Sequence, residues 1–240
     1  MNIILDYDGT VHDCAKIYVP AFRKGYEYLT DRRLAPPLEL SDSEISGWLG
    51  YSAADMWNGF MPQLDDKYKK ICSELVGEEM MKMILDGKSE LYSGAEAALE
   101  QLKKNGHRLF FLSNCSDAYM QAHRKAHSLD RFYTDYFCTE NFAFRPKPEI
   151  FPFIKEKYAG DYIIIGDRFL DLQVAEKHGL DSVGCTYGYC GEHELDSADI
   201  LVNDVSEIPD AVRNLVQKSL SFPKIHIQKL KKRRRYAENR

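Results

Sequence analysis

The sequence has no run of eighteen or more apolar residues, no Cys-x-x-Cys pair and no internal repeat that can be recognised by eye. The first absence argues against a membrane-spanning helix. The second makes a zinc site a poor expectation. The six cysteines (Cys14, Cys72, Cys115, Cys138, Cys185 and Cys190) are scattered and read as free thiols, mostly filling the core. The opening stretch MNIILDYDGT meets acidic residues too early for a secretory signal. The expected location is therefore the cytoplasm. Hydrophobic residues at 44% and charged residues at 29% suit a folded globular chain rather than a disordered one. At 240 residues, one α/β domain with an insertion or two domains would fit.

The formal net charge of −5 conceals an asymmetry. Residues 224–240 hold eight of the 32 basic residues and only one of the 37 acids, Glu238, so the rest of the chain carries twelve more acids than bases. The basic run KLKKRRR in that tail could bind nucleic acid, anionic lipid or an acidic partner. The preferred reading is a solvated extension, since terminal charge runs are commonly unordered.

Short apolar runs bounded by turn residues read as buried strands: 2–5 (NIIL), 108–112 (RLFFL), 162–165 (YIII), 182–185, a weaker run at 200–202 and a short one at 136–138. Amphipathic helical patterns fall between them at 94–104, 117–126, 149–157, 170–178 and 208–218. Strands alternating with helices predict an α/β fold, a Rossmann-like parallel sheet with helices on both faces. From His12 to Leu91 the pattern is helical with no convincing strand, which predicts a helical insertion. The expected organisation is an α/β core of residues 1–12 plus 93–220, a helical cap of 13–92 and a basic tail of 221–240.

Four polar motifs follow strands, and in an open parallel sheet such motifs converge beyond the carboxyl edge. In DYDGT, Asp6 and Asp8 are two carboxylates one residue apart, Gly9 permits a sharp turn, and Thr10 adds a hydroxyl and an amide. Neighbouring carboxylates repel unless a cation or proton separates them, and Mg2+ is the natural hard partner for oxygen ligands. In LSN, Ser113 can donate to a phosphate oxygen. In RPKPE, Lys147 sits between Pro146 and Pro148, a stiff setting for a cation that meets an oxyanion. In GDRFLD, Asp167 ends a strand, and Asp171, four residues on, is expected to share a helix face with it and to orient Asp167 or Lys147. Each motif alone has an ordinary structural explanation: an Asp-Gly turn, a helix cap, a solvated lysine, a surface carboxylate. The ordered set is what carries weight.

The set DYDGT, SN, PKP and GDxxxD, with the approach LYSGAEAALEQLKKNGHRLFFLSN to the second motif, resembles the haloacid dehalogenase superfamily of phosphohydrolases. The likeness is to the phosphoglycolate-phosphatase-like branch with a helical cap of the C1 type, and it runs from Asn2 to about Val216. It implies a Mg2+-dependent phosphatase acting on a small phosphorylated metabolite, with Asp6 as nucleophile and Asp8 as general acid/base. It further implies a metal between Asp6, the backbone carbonyl of Asp8 and Asp167. Lys147 and Ser113 would hold the phosphoryl group, with Thr10 and Asn114 as further substrate contacts, and Asp171 would support from behind. Dehalogenases of the superfamily lack the second aspartate of the first motif, so Asp8 favours phosphoryl transfer. Phosphonate-cleaving relatives need a cap lysine, for which Lys16, Lys24, Lys67, Lys69 and Lys70 are all candidates. The segment 48–52 (WLGYS) is either a substrate-contacting loop of the cap or a corner packed into the cap's own core. A phosphomutase of the β-phosphoglucomutase type and a non-catalytic binder that recruits a partner through the basic tail are the competing readings.

Overall fold

The chain is described here by a computed structural model covering residues 1–221; the basic tail singled out above lies outside the described residues. Strand β1 (Asn2–Leu5) is fully buried, as a four-residue apolar run requires. It lies at the centre of a six-stranded parallel sheet with β2 (Arg108–Ser113), β3 (Tyr133–Cys138), β4 (Tyr162–Gly166), β5 (Asp181–Cys185) and β6 (Ile200–Val202), in the order β3-β2-β1-β4-β5-β6. Ile3 pairs with Leu109 on one side and with Ile163 on the other, which fixes the register of the three central strands.

Alternation along these strands sorts their side chains into two cores. Ile3, Leu5, Phe111, Ile163 and Ile165 face one layer, formed by α5 (Ala95–Lys104), α6 (Asp117–Ala126) and α9 (Ile208–Ser221). Ile4, Phe110, Leu112 and Ile164 face the other, formed by α7 (Lys147–Lys157) and α8 (Phe169–His178). Both faces are covered, as a parallel sheet demands. The predicted strand at 136–138 begins earlier, at Tyr133. It is an edge strand whose middle residues are only partly buried, so apolar content understates its length.

Between β1 and α5 the chain forms α1 (Ala15–Asp31), α2 (Asp42–Ser46), α3 (Ala53–Phe60) and α4 (Asp66–Leu85), with no strand among them. These helices bury a hydrophobic cluster of their own, built on Phe22, Tyr26, Leu29, Trp57, Cys72 and Val76. Phe22 stacks on Trp57 with ring centroids 5.9 Å apart, and Gly25 lets α1 approach Val76 of α4 closely. Hydroxyl caps start two of these helices: Ser41 forms a capping box with Glu44, and Ser52 accepts from the Asp55 N–H. Among the described residues no helix is long and apolar enough to cross a membrane, and all six cysteines are free thiols.

Candidate active site

Strand order reverses its direction of growth between β1 and β4, and ligands bind beyond the carboxyl ends of strands at such a point. The loops leaving β1 and β4 there carry Asp6 and Asp167. Asp6 and Asp167 are both buried, and with Asp171 their carboxylate oxygens come within 4.8 Å of one another. Close backbone approach makes this possible. Gly9 has a left-handed φ of 84°, and a Cβ there would collide with the Asp167 carboxylate. Gly188, on the loop after β5, packs against Asp167 in the same way, and the neighbouring Tyr189 N–H donates to Asp167 Oδ2 at 2.7 Å.

Lys147 bridges two of these acids. Its ammonium donates to Asp6 Oδ1 at 2.6 Å and to Asp171 Oδ1 at 2.7 Å, with the lysine side chain 3% exposed. Desolvation opposes its charge, but the Asp171 and Asp6 carboxylates outweigh this and raise its pKa. Burial, reinforced by Asp171, pushes the Asp6 carboxyl up to about 7 against the pull of Lys147. Burial together with Asp6 and Asp171 pushes Asp167 well above the carboxylate range. Such a crowd of acids calls for a further positive charge, and Asp167 Oδ1 is buried with no hydrogen-bond partner among the described residues. An oxygen-rich, orphaned and shielded cluster of this kind fits a hard divalent cation, for which Asp6 and Asp167 would supply carboxylate ligands.

Two expectations about local structure need correction. The helix expected at 149–157 begins earlier, so that Lys147 is the first residue of α7, with Pro146 at the N-cap position. Proline is tolerated in a first turn because the N–H groups there have no intrahelical acceptor. Asp167 and Asp171 do not share a helix face, because α8 starts at Phe169. Asp171 instead accepts from the backbone N–H of Arg168 at 3.2 Å, reaching back over the helix start, and its other oxygen meets Lys147.

A chamber of about 240 Å3 opens above these residues, between the sheet edge and the helices 15–85. Asp6, Asp8, Ser113, Asn114, Lys147 and Asp171 line it. Thr10 does not: its side chain is fully buried and its Oγ1 has no partner among the described residues, while its carbonyl accepts from the Tyr187 hydroxyl at 2.6 Å. The compact turn at Gly9 carries it beneath the site rather than into it. Ser113, at the end of β2, is not a helix cap, since Ser116 caps α6. Asn114 donates to the Gly50 carbonyl at 3.3 Å. None of Lys16, Lys24, Lys67, Lys69 and Lys70 lines the chamber. Lys16 pairs with Glu90, Lys24 with Glu79, and Lys69 with Asn58 and Asp66.

Two features escaped the motif reading. Asp8 Oδ1 is held by His12 Nδ1 at 2.7 Å and by the Tyr119 hydroxyl at 2.9 Å. Burial would raise this carboxyl, but those hydrogen bonds and the charge of His12 more than offset it, and its pKa is lowered. Arg168, whose role the motif left open, fastens the segment 48–52 to the sheet edge. It donates Nη1 to the Leu49 carbonyl and Nε to Glu194 at 2.7 Å, and its guanidinium lies 4.7 Å from the Tyr51 ring centre. Trp48, Leu49, Gly50 and Tyr51 all line the chamber. Of these signals only His12, four residues after Asp8, was within reach of a local motif; Tyr119 and Glu194 come from distant parts of the chain.

Behind Asp8, His123 is fully buried against His12, with ring centroids 4.4 Å apart, and its Nδ1 meets the Tyr7 hydroxyl at 2.9 Å. Burial, with His12 adjacent, pulls its pKa down to about 2. Since an unfolded histidine titrates near 6.5, protons bind the unfolded chain preferentially below that pH. The contribution is intact above about pH 6.5 and is lost as pH falls from there toward the folded value. Melting temperature should therefore drop between pH 7 and pH 5, and less steeply in His123→Phe. Parallel pH profiles for the two proteins would show that His123 is not responsible.

Residues 3–185 match the family model described as haloacid dehalogenase-like hydrolase, and the chain belongs to that family. The chain is similar to a protein named phosphoglycolate phosphatase from Aliivibrio fischeri, with 25% identity over 213 residues, spanning 84% of this chain and 91% of that one. A protein of the same name from Mannheimia succiniciproducens is 29% identical over 105 residues, 42% of this chain and 47% of its own length. Among solved structures, a haloacid dehalogenase-like hydrolase from Streptococcus pneumoniae superposes with a TM-score of 0.75 at 18% identity, covering 88% of this chain and 97% of that one. The phosphate complex of CbbY from Rhodobacter sphaeroides gives 0.70 at 17% identity, covering 86% and 95%. These structural likenesses speak to the fold.

Proposed function

We propose that the chain is a Mg2+-dependent phosphomonoesterase that works through an aspartyl-phosphate on Asp6. The observation that carries this reading is the buried constellation of Asp6 bridged by Lys147 to Asp171, beside the orphaned oxygen of Asp167. Family membership and the names of the relatives point the same way. Mg2+ would be held by Asp6, Asp167 and the backbone carbonyl of Asp8. There it would supply the positive charge that keeps Asp6 ionised and neutralises the phosphoryl oxygens.

The remaining chemistry belongs to side chains. Asp6 attacks phosphorus, and the bond to the leaving oxygen breaks as Asp8 delivers a proton to it. Asp8, now a carboxylate, takes a proton from water as that water attacks the phosphoryl group on Asp6, which releases phosphate and restores the enzyme. His12 and Tyr119 both bond to Asp8 Oδ1 and so hold the carboxyl group at the chamber wall, with Oδ2 outside those two bonds. A phosphate dianion arriving beside Asp8 raises its proton affinity and charges it for the first step. Lys147 and Ser113 receive the phosphoryl oxygens. The four cap helices serve as a lid that excludes water until the leaving group departs.

The test is phosphate release from a panel of small phosphoesters with and without Mg2+. Release should depend on the metal and disappear on chelation. Undiminished turnover in chelator would remove the metal from the reading.

A further inference from the structure

We infer that the leaving group is an uncharged, largely apolar alcohol of about aromatic size, and that esters carrying a second anion, phosphoglycolate included, are poor substrates. The inference rests on the phosphatase reading and concerns the half of the chamber that the phosphoryl group does not fill.

That half is lined by the cap helices, and every cap residue lining it is uncharged. Tyr18, Trp48, Met56, Trp57, Val76 and Met80 form an aromatic and thioether wall. Flat rings and flexible methionines suit an apolar body of variable outline. Among the described residues only Lys147 and Arg168 bring positive charge to the chamber wall. Lys147 is bound to Asp6 and Asp171. Arg168 is engaged with Glu194 and the Leu49 carbonyl, its guanidinium against Tyr51. Three acids, Asp6, Asp8 and Asp171, line the same chamber. A substrate carboxylate would thus leave water for an apolar wall, with no cation free to meet it and acids nearby. The cap lysines, a ready source of such a cation, are committed elsewhere or lie off the chamber.

The polar groups on the cap side are all uncharged: the hydroxyl-bearing Tyr18, Tyr51 and Ser73 line the chamber, the last donating to the Lys69 carbonyl. Trp57 is fully buried, lines the chamber, and its indole N–H has no partner among the described residues. Indole nitrogen is a donor only, so it adds no positive charge that could meet a second anion.

The experiment compares the Mg2+-loaded full chain on benzyl phosphate and 4-carboxybenzyl phosphate, a pair matched in leaving-group chemistry, with phosphoglycolate as a third ester and Asp6→Asn as the blank. Benzyl phosphate should exceed both others in kcat/KM by on the order of tenfold to a hundredfold, the difference lying chiefly in KM. Met80→Lys, which places a cation on the cap wall, should shift the ratio of carboxylated to plain benzyl ester upward by about tenfold or more. Asp6-dependent release that favours phosphoglycolate or the carboxylated ester in the wild type would overturn the inference and leave the phosphatase reading standing. Absence of Asp6-dependent release from all three would count against the phosphatase reading, and the inference would fall with it.

Discussion

Asp6→Asn is expected to lower phosphate release by on the order of 10^4-fold or more while the protein melts at the same temperature as the wild type or slightly above it. The two halves of this expectation have one origin. Asparagine is nearly isosteric and keeps an oxygen to accept from Lys147, so the 2.6 Å bond survives in form. It cannot form the acyl phosphate, because an amide oxygen is a far weaker nucleophile than a carboxylate. The substitution also removes one charge from three acids within 4.8 Å of one another, at a position whose carboxyl is already pushed up to about 7 by burial and by Asp171. Relieving that repulsion offsets the weaker bond to Lys147. Phosphate release and a thermal melt on the same preparation test both halves. Turnover within tenfold of wild type would eliminate the covalent route, whereas a large fall in melting temperature would show that the acids are less strained than their burial implies.

Lys147→Met should damage both properties. The ammonium is the only positive group within hydrogen-bond reach of Asp6 and Asp171 among the described residues, and the trio is buried. Breaking a buried pair from one side leaves an uncompensated charge, at a cost of about 3 kcal/mol or more. Loss of a group that meets the transferring oxygens lowers turnover by on the order of 10^3. Mg2+ should then return part of the stability and little of the activity: the ion can neutralise the same carboxylates, but it cannot take up the position of the lysine on the phosphoryl group. Melting with and without Mg2+ checks this. A metal-induced rise no larger than that of the wild type would argue against a cation site beside these acids.

The central strands could be read from the sequence because they are buried on both faces, so that 2–5, 108–112 and 162–165 are nearly pure apolar runs. The edge strand β3 could be read only in its last three residues, since Thr134 and Asp135 are polar, not fully buried, and send no such signal. At the candidate site, residues bound to strand ends are reported by motifs, while the contacts that orient them are not. Asp8 meets Tyr119 across 111 positions, and Lys147 meets Asp6 across 141. Such pairs depend on how the crossovers fold back, which no local spacing records. Thr10 shows the converse limit. Motif membership suggested a substrate contact, yet a tight glycine turn carries its side chain into the interior. Asp171 meets Lys147, but not through helical periodicity with Asp167, because α8 begins two residues after Asp167.

The way Arg168 and Asn114 grip the segment 48–52 has a consequence for how this protein can diversify. Both grip main-chain carbonyls, those of Leu49 and Gly50. Carbonyl oxygens are the same whatever side chain stands above them. Gly50 is constrained, since a Cβ there would press on Arg168. Its neighbours Trp48 and Leu49 are free of that restriction, whereas Tyr51 meets the Arg168 guanidinium with its ring. New side chains at those two positions could therefore reshape the chamber while the clasp between the sheet edge and the inserted helices stays shut, so that the shape of the chamber and its fastening can be inherited as separate traits.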